Sequence, residues 1–275
     1  MMNIHLLKNF METQSVAQIP YISYQNLCKS SKVMKGIFKV FFPTYNLSFD
    51  DFFNYYPLLG FIEALVYQTD VEVEAAQANR SSMSPFSLWN RKKELIQSLL
   101  KELNLEHPTI EDALEKMGEF FDLESQVMAA DTITHADITR LSELRSGDIR
   151  VLHHTLIQML GKPHRPEVFE LFLPLEVISE FADDIISYKK DVASGHYNTY
   201  WMFERLYGEE APYYLKAEID RYLNLYEEKL KLFSKNEYSI NLEEFSKAFN
   251  NMLNKFSFLS NANLICTTAL KGFQI

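Results

Sequence analysis

Turn-forming residues are scarce in this sequence, and that scarcity restricts the folds open to it. The 275 residues include only 8 Gly and 9 Pro, whereas an all-β chain needs a turn about every ten residues. Apolar residues make up 47% of the chain, which is ample for a substantial core, and they recur at helical spacing with essentially no strand-like alternation. We therefore predict an all-α fold built as a helical bundle.

The helical periodicity predicts nine helices separated by capping and turn signals. Their predicted ranges are 31–41, 49–78, 86–104, 109–130, 134–160, 166–193, 196–207, 210–234 and 241–258. Ser48 precedes an acid-rich first turn, as helix starts prefer. The segment GKPHRP interrupts the chain with one Gly and two Pro, and Gly195 fits a helix end.

Charge and cysteine usage argue against several classes of protein. The formal net charge is −10, which argues against a nucleic-acid partner because duplex-binding proteins are usually basic. The two cysteines, Cys28 and Cys266, have no metal-site spacing. No apolar run approaches the ~20 residues of a membrane span, and the N-terminus has no signal-peptide pattern. We expect a cytoplasmic protein that is not an integral membrane protein.

One acid-rich helical segment, EFADDIISYKKDVASGHYN, is the first candidate site. Asp183, Ser187 and Asp191 are each four residues apart, so at about 100° per residue their side chains share one stripe. The preceding part of the helix is apolar almost all round, and a buried stripe of acids is costly unless it is paired or binds metal. Carboxylates with a hydroxyl suit Mg²⁺. The alternative is a solvated face on which these acids pair with Lys189 and Lys190.

A second acidic stripe and an arginine at a helix break strengthen the metal hypothesis. Asp70 and Glu74 lie one turn apart at the end of an apolar helix, and two such stripes could face each other across a cavity and share metal ions. Arg145 precedes a Ser-Gly step that interrupts its helix, and an Arg fork matches phosphate oxygens. The alternatives are a solvated helix end for the acids and an exposed helix break for Arg145.

The segment DDIISYKKD, residues 183–191, resembles the second metal-binding motif of class I terpene synthases. That motif is written (N/D)-D-(L/I/V)-x-(S/T)-x-x-x-E, and only its last position differs here, where Asp replaces Glu. The resemblance implies that Asp183, Ser187 and Asp191 bind one Mg²⁺ together, with Asp184 turned away from it. It also implies that Lys190 contacts the substrate diphosphate.

The first motif of the family, usually DDxxD, has two candidates in this chain. DVEVE offers Asp70 and Glu74 at the end of an apolar helix, where the motif should lie. FDDFFN offers Asp50 and Asp51, but it leaves little chain before it for the family's first helices. The resemblance therefore favours Asp70 and Glu74 as metal ligands, with Asp50 and Asp51 as the competing pair.

Two further features of the family can be compared with this chain. Arg145, with Asp148 three residues on, is similar to the family's diphosphate-sensing Arg, which lies at a helix break. The family's C-terminal Arg-Tyr pair is missing, because Arg221 and Tyr222 come too early. Lys271 is a weak substitute for it.

The resemblance, which covers roughly residues 55–235, implies an enzyme with a single domain over residues 1–275 and a central active-site cavity. It would use Mg²⁺, as three ions with bound diphosphate, to ionise a linear C15 or C20 prenyl diphosphate and cyclise the carbocation. Asp70, Asp183 and Arg145 would be its catalytic residues, and a homodimer is one assembly open to it.

Two other hypotheses are a head-to-head prenyltransferase related to squalene and phytoene synthases, and a non-catalytic helical interaction protein. The prenyltransferase pattern of two DxxxD motifs fits DVEVE but not residue 187, which is Ser.

Overall fold

The computed structural model describes residues 22–78, 84–233 and 240–271. Every regular element in these ranges is helical, which confirms the all-α prediction. The α-helices are α1 (Tyr24–Thr44), α2 (Phe49–Ala78), α3 (Pro85–Glu102), α4 (Pro108–Ala129), α5 (His135–Arg145), α6 (Gly147–Met159), α7 (Pro166–Ser194), α8 (Thr199–Tyr207), α9 (Ala211–Phe233), α10 (Leu242–Lys255) and α11 (Ala262–Lys271). Two short 3-10 helices are Gly208–Glu210 and Ser257–Ser260.

The helices differ from the prediction in three main respects: one start, one break and one additional helix. Helix α1 begins at Tyr24 rather than near residue 31, because the Ser23 side chain accepts a hydrogen bond from the Asn26 backbone N–H at 3.1 Å and caps it. The predicted helix 134–160 is two helices, α5 and α6, which separate at the predicted break. Helix α11 was not predicted.

The chain forms two compact units. The first comprises Met1–Asp122, Gly147–His164 and Ile240–Phe245, and the second comprises the remaining segments, Leu123–Ser146, Arg165–Ser239 and Ser246–Ile275. The prediction of one domain over the whole chain therefore stays a prediction. No helix in the described ranges is both long and apolar enough to cross a membrane.

In the first unit, α2 is the central helix and packs against α1, α3 and α6. Its middle turns are almost fully buried, which explains their apolar sequence. Trp89 of α3 is fully buried, and its indole N–H donates to the Leu114 carbonyl of α4 at 2.9 Å. At the start of α6, a Cβ on Gly147 would lie 2.5 Å from Met117 Sδ, so glycine permits this close approach.

In the second unit, α7 is the central helix and packs against α5, α8, α9 and α11. Its apolar face includes Phe172, Ile178 and Phe181, which are almost completely buried. Helix α8 begins after Asn198, whose side-chain oxygen accepts a hydrogen bond from the Trp201 backbone N–H at 3.2 Å. The second tryptophan of the chain thus lies in the first turn of α8.

Candidate functional site

Helix α7 carries the first candidate site in its last three turns. It is capped at the C-terminus by Gly195 in the left-handed conformation (φ 71°), as predicted. Asp183 is exposed, whereas Asp184 is 1% exposed. The two adjacent acids therefore point in different directions, because successive residues of a helix are about 100° apart.

Asp184 is held in the interior by donors from two other helices. The Arg145 guanidinium lies 2.5 Å from Asp184 Oδ2, and the Thr199 backbone N–H donates to the same oxygen at 2.7 Å. Burial raises the pKa of the Asp184 carboxyl, and the positive charge of Arg145 opposes that rise. The short contact and the second donor favour the ionised carboxylate.

Arg145 balances more than one acid. Its Nε lies 3.1 Å from Glu180 Oε2, and its guanidinium carbon lies 5.6 Å from the centre of the Tyr197 ring. Burial alone would lower the pKa of Arg145, but the carboxylates of Asp184 and Glu180 raise it above its ordinary value. Arg145 is therefore a fixed cation that already has two anionic partners within its own unit.

The other two predicted ligands of α7 are joined by hydrogen bonds. The Ser187 hydroxyl donates to Asp191 Oδ2 in a short contact, and the Asn198 amide donates to the same oxygen at 3.0 Å. Asn198 also donates to the Asp184 carbonyl at 2.7 Å. Asn198 is fully buried, so it fixes the end of α7 and the carboxylate of Asp191 together.

The charges around Asp183, on the exposed side of α7, differ from those around Asp184. Asp183 is exposed as a residue, but nearby protein atoms partly desolvate its carboxyl group. This desolvation, and next the neighbouring Asp184 charge, raise the pKa of the Asp183 carboxyl, and Arg145 and Lys255 oppose this rise. Lys190 is exposed on the last turns of the helix. The charged form of Asp183 is thus disfavoured overall, so a cation bound to this carboxylate would stabilise it.

The chemistry of these donors fits Mg²⁺. Two carboxylates and one hydroxyl, on the stripe Asp183, Ser187 and Asp191, are hard oxygen ligands. In the part of the chain that the structure describes, no three His, Cys, Asp or Glu side chains converge on one point. A stripe with two carboxylates would leave further coordination positions to water and substrate oxygens, as Mg²⁺ sites usually do.

Helix α2 carries the second predicted pair of ligands, in the first unit. Asp70 and Glu74 are half-buried and lie on one stripe of the helix. Between them, Glu72 forms an ion pair with Lys92 of α3 and accepts a hydrogen bond from the Gln68 amide at 3.1 Å. The acid-rich end of α2 is therefore not uniformly solvated, because Lys92 is mostly buried.

The same stripe of α2 continues inward to an acid that sequence reasoning missed. Glu63 is seven residues before Asp70, which is two turns of helix, and it is fully buried. It interacts with Asp148 in the first turn of α6. Burial raises the pKa of the Asp148 carboxyl, and the Ile149 backbone N–H, at 2.7 Å from Oδ1, opposes the rise. The signal available in the sequence was a single Glu within the most apolar part of α2.

The competing first motif, Asp50 and Asp51, lies in the first turn of α2. Asp51 Oδ2 accepts hydrogen bonds from the Ser48 backbone N–H and hydroxyl, both at 2.7 Å, and its own N–H donates to Ser48 Oγ at 3.3 Å. This reciprocal pattern is a helix-capping box. The cap accounts for the acid at position 51 without a metal.

The early Arg-Tyr pair is also part of the helical framework of the second unit. Tyr222 of α9 is fully buried and donates its hydroxyl to Glu143 at 3.0 Å. The Arg221 guanidinium lies 4.1 Å from the Tyr222 ring centre and pairs with Glu218 at 2.8 Å. Lys271 is exposed at the end of α11. These contacts give Arg221 and Tyr222 a structural role in the packing of the second unit.

An apolar groove lies in the first unit between α1 and α2. Its volume is about 180 Å³, and Leu27, Tyr56 and Gly60 are among its lining residues. Ala64, which also lines it, follows Glu63 directly and is therefore about 100° around α2 from the acidic stripe. The groove and the acidic stripe are separate features of that helix.

Comparison of the chain with protein-family models, with curated proteins and with solved structures found no match in any of the three.

Proposed function

We propose that this chain is a Mg²⁺-dependent enzyme that ionises a linear prenyl diphosphate, with the fold and activity of a class I terpene synthase. The observation that carries the proposal is the split of the acid pair on α7. Asp184 is buried against Arg145, while Asp183 remains exposed on the stripe of Ser187 and Asp191. In this arrangement one acid anchors the helix and the adjacent acid stays available to bind a metal ion.

The residues have separate roles in this proposal. Asp183, Ser187 and Asp191 would hold one Mg²⁺, and Asp70 and Glu74 of the first unit are proposed as further metal ligands. Bound Mg²⁺ would neutralise the negative charge that develops on the leaving diphosphate. Asn198 orients Asp191 through a 3.0 Å hydrogen bond. The exposed Lys190 could donate to diphosphate oxygens.

Arg145 is the residue on which the proposal depends most. Its Nη1 and Nε contact Asp184 and Glu180, and a guanidinium carries five N–H donors. The donors that remain could bind one diphosphate oxygen while the two carboxylates hold the group in place. The proposed role of Arg145 is therefore both to fix Asp184 and to present a preorganised positive charge.

The test is incubation of the purified chain with geranyl, farnesyl or geranylgeranyl diphosphate and Mg²⁺. We expect an extractable hydrocarbon product and release of diphosphate. Both should disappear when a metal chelator removes Mg²⁺. Loss of an outer-shell partner of a metal already costs about 10–100-fold, so Asp183→Ala should reduce the rate by about 100-fold or more. The matched control is Asp131→Ala, which removes an exposed acid from a loop of the same unit.

The outcomes separate the three hypotheses. A product formed only from two joined prenyl chains would favour the head-to-head prenyltransferase. A non-catalytic helical protein is the second candidate, because Arg145 already pairs with acids of its own unit as a purely structural residue would. No product, together with no Mg²⁺-dependent thermal stabilisation by inorganic diphosphate, would favour that candidate and reject both enzymes.

A further inference from the structure

Three imidazole rings meet in the first unit, and we call His107, His154 and His164 the histidine stack. His107 precedes α4, His154 lies on α6, and His164 lies in the connection from α6 to α7. The ring centres of His107 and His164 are 3.8 Å apart with 12° between the planes. Those of His154 and His164 are 5.3 Å apart with 21° between the planes.

Hydrogen bonds join the rings to two neighbouring polar side chains. His154 Nδ1 and His164 Nδ1 are 3.1 Å apart. Thr109 Oγ1 lies 2.9 Å from His164 Nδ1 and 2.8 Å from His107 Nδ1. On its other side, His164 Nε2 lies 3.1 Å from Gln158 Oε1. His164 is therefore the central member of the stack, and it connects the start of α4 with the last turns of α6.

The arrangement of the rings does not suit a metal ion. The lone pair of an imidazole nitrogen lies in the plane of its ring, so near-parallel stacked rings cannot all direct their lone pairs at one point. Consistent with this, the stack does not form a metal-binding group among the described residues. The stack needs another explanation.

Protonation is the property that the geometry restricts. At 3.1 Å, one Nδ1 of His154 and His164 must lack a hydrogen and accept the bond. If both rings became imidazolium, two N–H groups would face each other. Two charged rings in the stacked positions of His107 and His164 would also repel. The stack can persist only while most of its rings are neutral.

The surrounding charges add to this restriction. Lys116 of α4 and Arg150 of α6 both act on His154 as positive charges, although Lys116 also pairs with Asp112 at 2.6 Å. His153, the next residue of α6, is fully buried, stacks on Phe41 and bonds to Tyr45 Oη at 2.7 Å. The neighbouring helices therefore do not offer His154 a favourable site for a proton.

Burial and these charges set the direction of the pKa shifts. Burial, followed by the charge of His164, lowers the pKa of His154 to about 3. Burial, followed by the charge of His107, lowers the pKa of His164 to about 4. Because the folded values lie below the ordinary value of 6.5, the stabilisation is complete above about pH 6.5 and is lost as the pH falls towards these values.

We propose that the histidine stack is a pH-sensitive clasp that fastens the connection from α6 to α7 onto the start of α4 and opens in acid. His164 is the last residue of the segment Gly147–His164 of the first unit, and Arg165 then leads into α7. Opening of the clasp releases the residues that immediately precede the helix of Asp183. This inference is independent of the proposed enzymatic activity.

Hydrogen exchange of the full chain, measured by mass spectrometry at about pH 7.5 and about pH 5, tests the clasp. The reporting amides are those of Ile110, Gly161 and Lys162, which bond to the carbonyls of residues 107, 158 and 157. After correction for intrinsic rates, we expect these amides to exchange about tenfold faster in acid while the core of α2 stays protected. Equal protection at both pH values overturns the proposal.

Two variants sharpen the test. His164→Gln cannot take up a proton but can still donate and accept hydrogen bonds. Exchange at residues 107–110 and 160–162 should therefore depend much less on pH in this variant, and only the burial of His154 should leave a remainder. The control is His135→Gln, which removes a histidine of the second unit that bonds to Tyr207 at 2.7 Å. Loss of the pH dependence in the control but not in His164→Gln contradicts the clasp.

A measurement on the unaltered chain keeps the proposal testable if His164→Gln fails to fold. NMR titration of the imidazole resonances should show His154 and His164 still neutral at about pH 5. Ordinary titration of both rings near pH 6.5 would overturn the proposal, because stacked and mutually bonded rings could not take up protons so easily.

Discussion

Helices α7 and α2 each contain a buried acid, Asp184 and Glu63, and the two buried acids have different partners. On α7, the buried acid Asp184 is matched by the cation of Arg145 and by a backbone N–H. On α2, the buried acid Glu63 interacts with a second acid, Asp148, instead of a cation. Two neighbouring carboxyls repel each other when both are charged, so protonation of one of them is favoured. The α7 stripe is therefore built around an ion pair, and the α2 stripe around two neighbouring acids.

This difference bears on function. A fixed ion pair preorganises α7 at neutral pH, so the exposed Asp183 can meet a cation without rearrangement of the helix. The pair on α2 instead responds to pH, because burial raises the pKa of the Asp148 carboxyl and its charge changes as it loses its proton. Substitutions in each stripe can show whether the two mechanisms are really distinct.

The largest effect is expected from Arg145→Ala. Removal of one partner of a buried ion pair leaves Asp184 charged and uncompensated, and Arg145 is itself partly exposed, so we expect a loss of about 3 kcal/mol in the free energy of unfolding at pH 7. The measurement is urea denaturation. The loss should shrink in acid, where Asp184 can protonate. Arg140→Ala on the same helix removes an exposed Arg and should change stability by less than about 0.5 kcal/mol; equal losses would contradict the assignment.

A smaller loss is expected from Asn198→Ala. This change removes the side-chain cap of α8, two bonds to the end of α7 and the orientation of Asp191. Loss of a cap costs about 1 kcal/mol, and the buried Asp184 carbonyl loses a donor, so we expect about 2 kcal/mol in urea denaturation. Asn261→Ala, which removes an exposed asparagine just before α11, should cost less. A greater loss in this control would contradict the central role of Asn198.

Lys92→Met on α3, which removes the cation that pairs with Glu72 of α2, should cost about 1 kcal/mol in the same assay. The change removes the ion pair with Glu72, but methionine keeps the apolar stem and Glu72 can still reach water. Lys93→Met, which removes the more exposed pair with Glu115, should have little effect. A loss for Lys92→Met as large as that of Arg145→Ala would remove the proposed difference between the two stripes.

The smallest change at any one pH is expected from Asp148→Asn. Asparagine can still accept the Ile149 N–H bond but carries no charge. The folded-state pKa of Asp148 is raised, so its carboxyl stabilises the fold at low pH and this stabilisation is lost as the pH rises above its ordinary value of 3.8. The variant should therefore equal the parent chain at about pH 3 and exceed its stability at pH 7. Parallel pH profiles would contradict the raised pKa of Asp148.

Most of the fold followed from the spacing of apolar residues, and the exceptions have physical reasons. The start of α1 is polar, yet Asn26 and Ser30 are buried because side-chain hydrogen bonds satisfy them. A pattern of apolar residues does not register buried polar groups of this kind. Helix α11 is short and contains adjacent threonines, which have low helix propensity. Its packing against α7 and α9 outweighs that propensity.

The candidate site was predictable only where one helix contains it. Helical geometry alone places Asp183, Ser187 and Asp191 on one stripe, but it also places Asp184 only about 20° from Asp191. The opposite orientations of Asp183 and Asp184 were implied by the family resemblance and not by the geometry. The interaction of Glu63 with Asp148 and the contacts of the histidine stack join residues that are far apart in the sequence. A single sequence does not reveal which distant residues come into contact in the fold. Arg145 was found because its helix break marks it, but its two anionic partners were not.

The two tryptophans belong to different units, so their fluorescence can report on each unit separately. Trp89 belongs to the first unit and is fully buried beside the Leu114 carbonyl, whereas Trp201 belongs to the second and is partly exposed in the first turn of α8. The chain contains no other tryptophan. Trp89→Phe and Trp201→Phe therefore each leave a single intrinsic fluorophore, so the emission of one variant reports only the second unit and that of the other only the first. Coincident unfolding curves for the two variants would identify a single cooperative domain, and separated curves would give each unit a stability of its own.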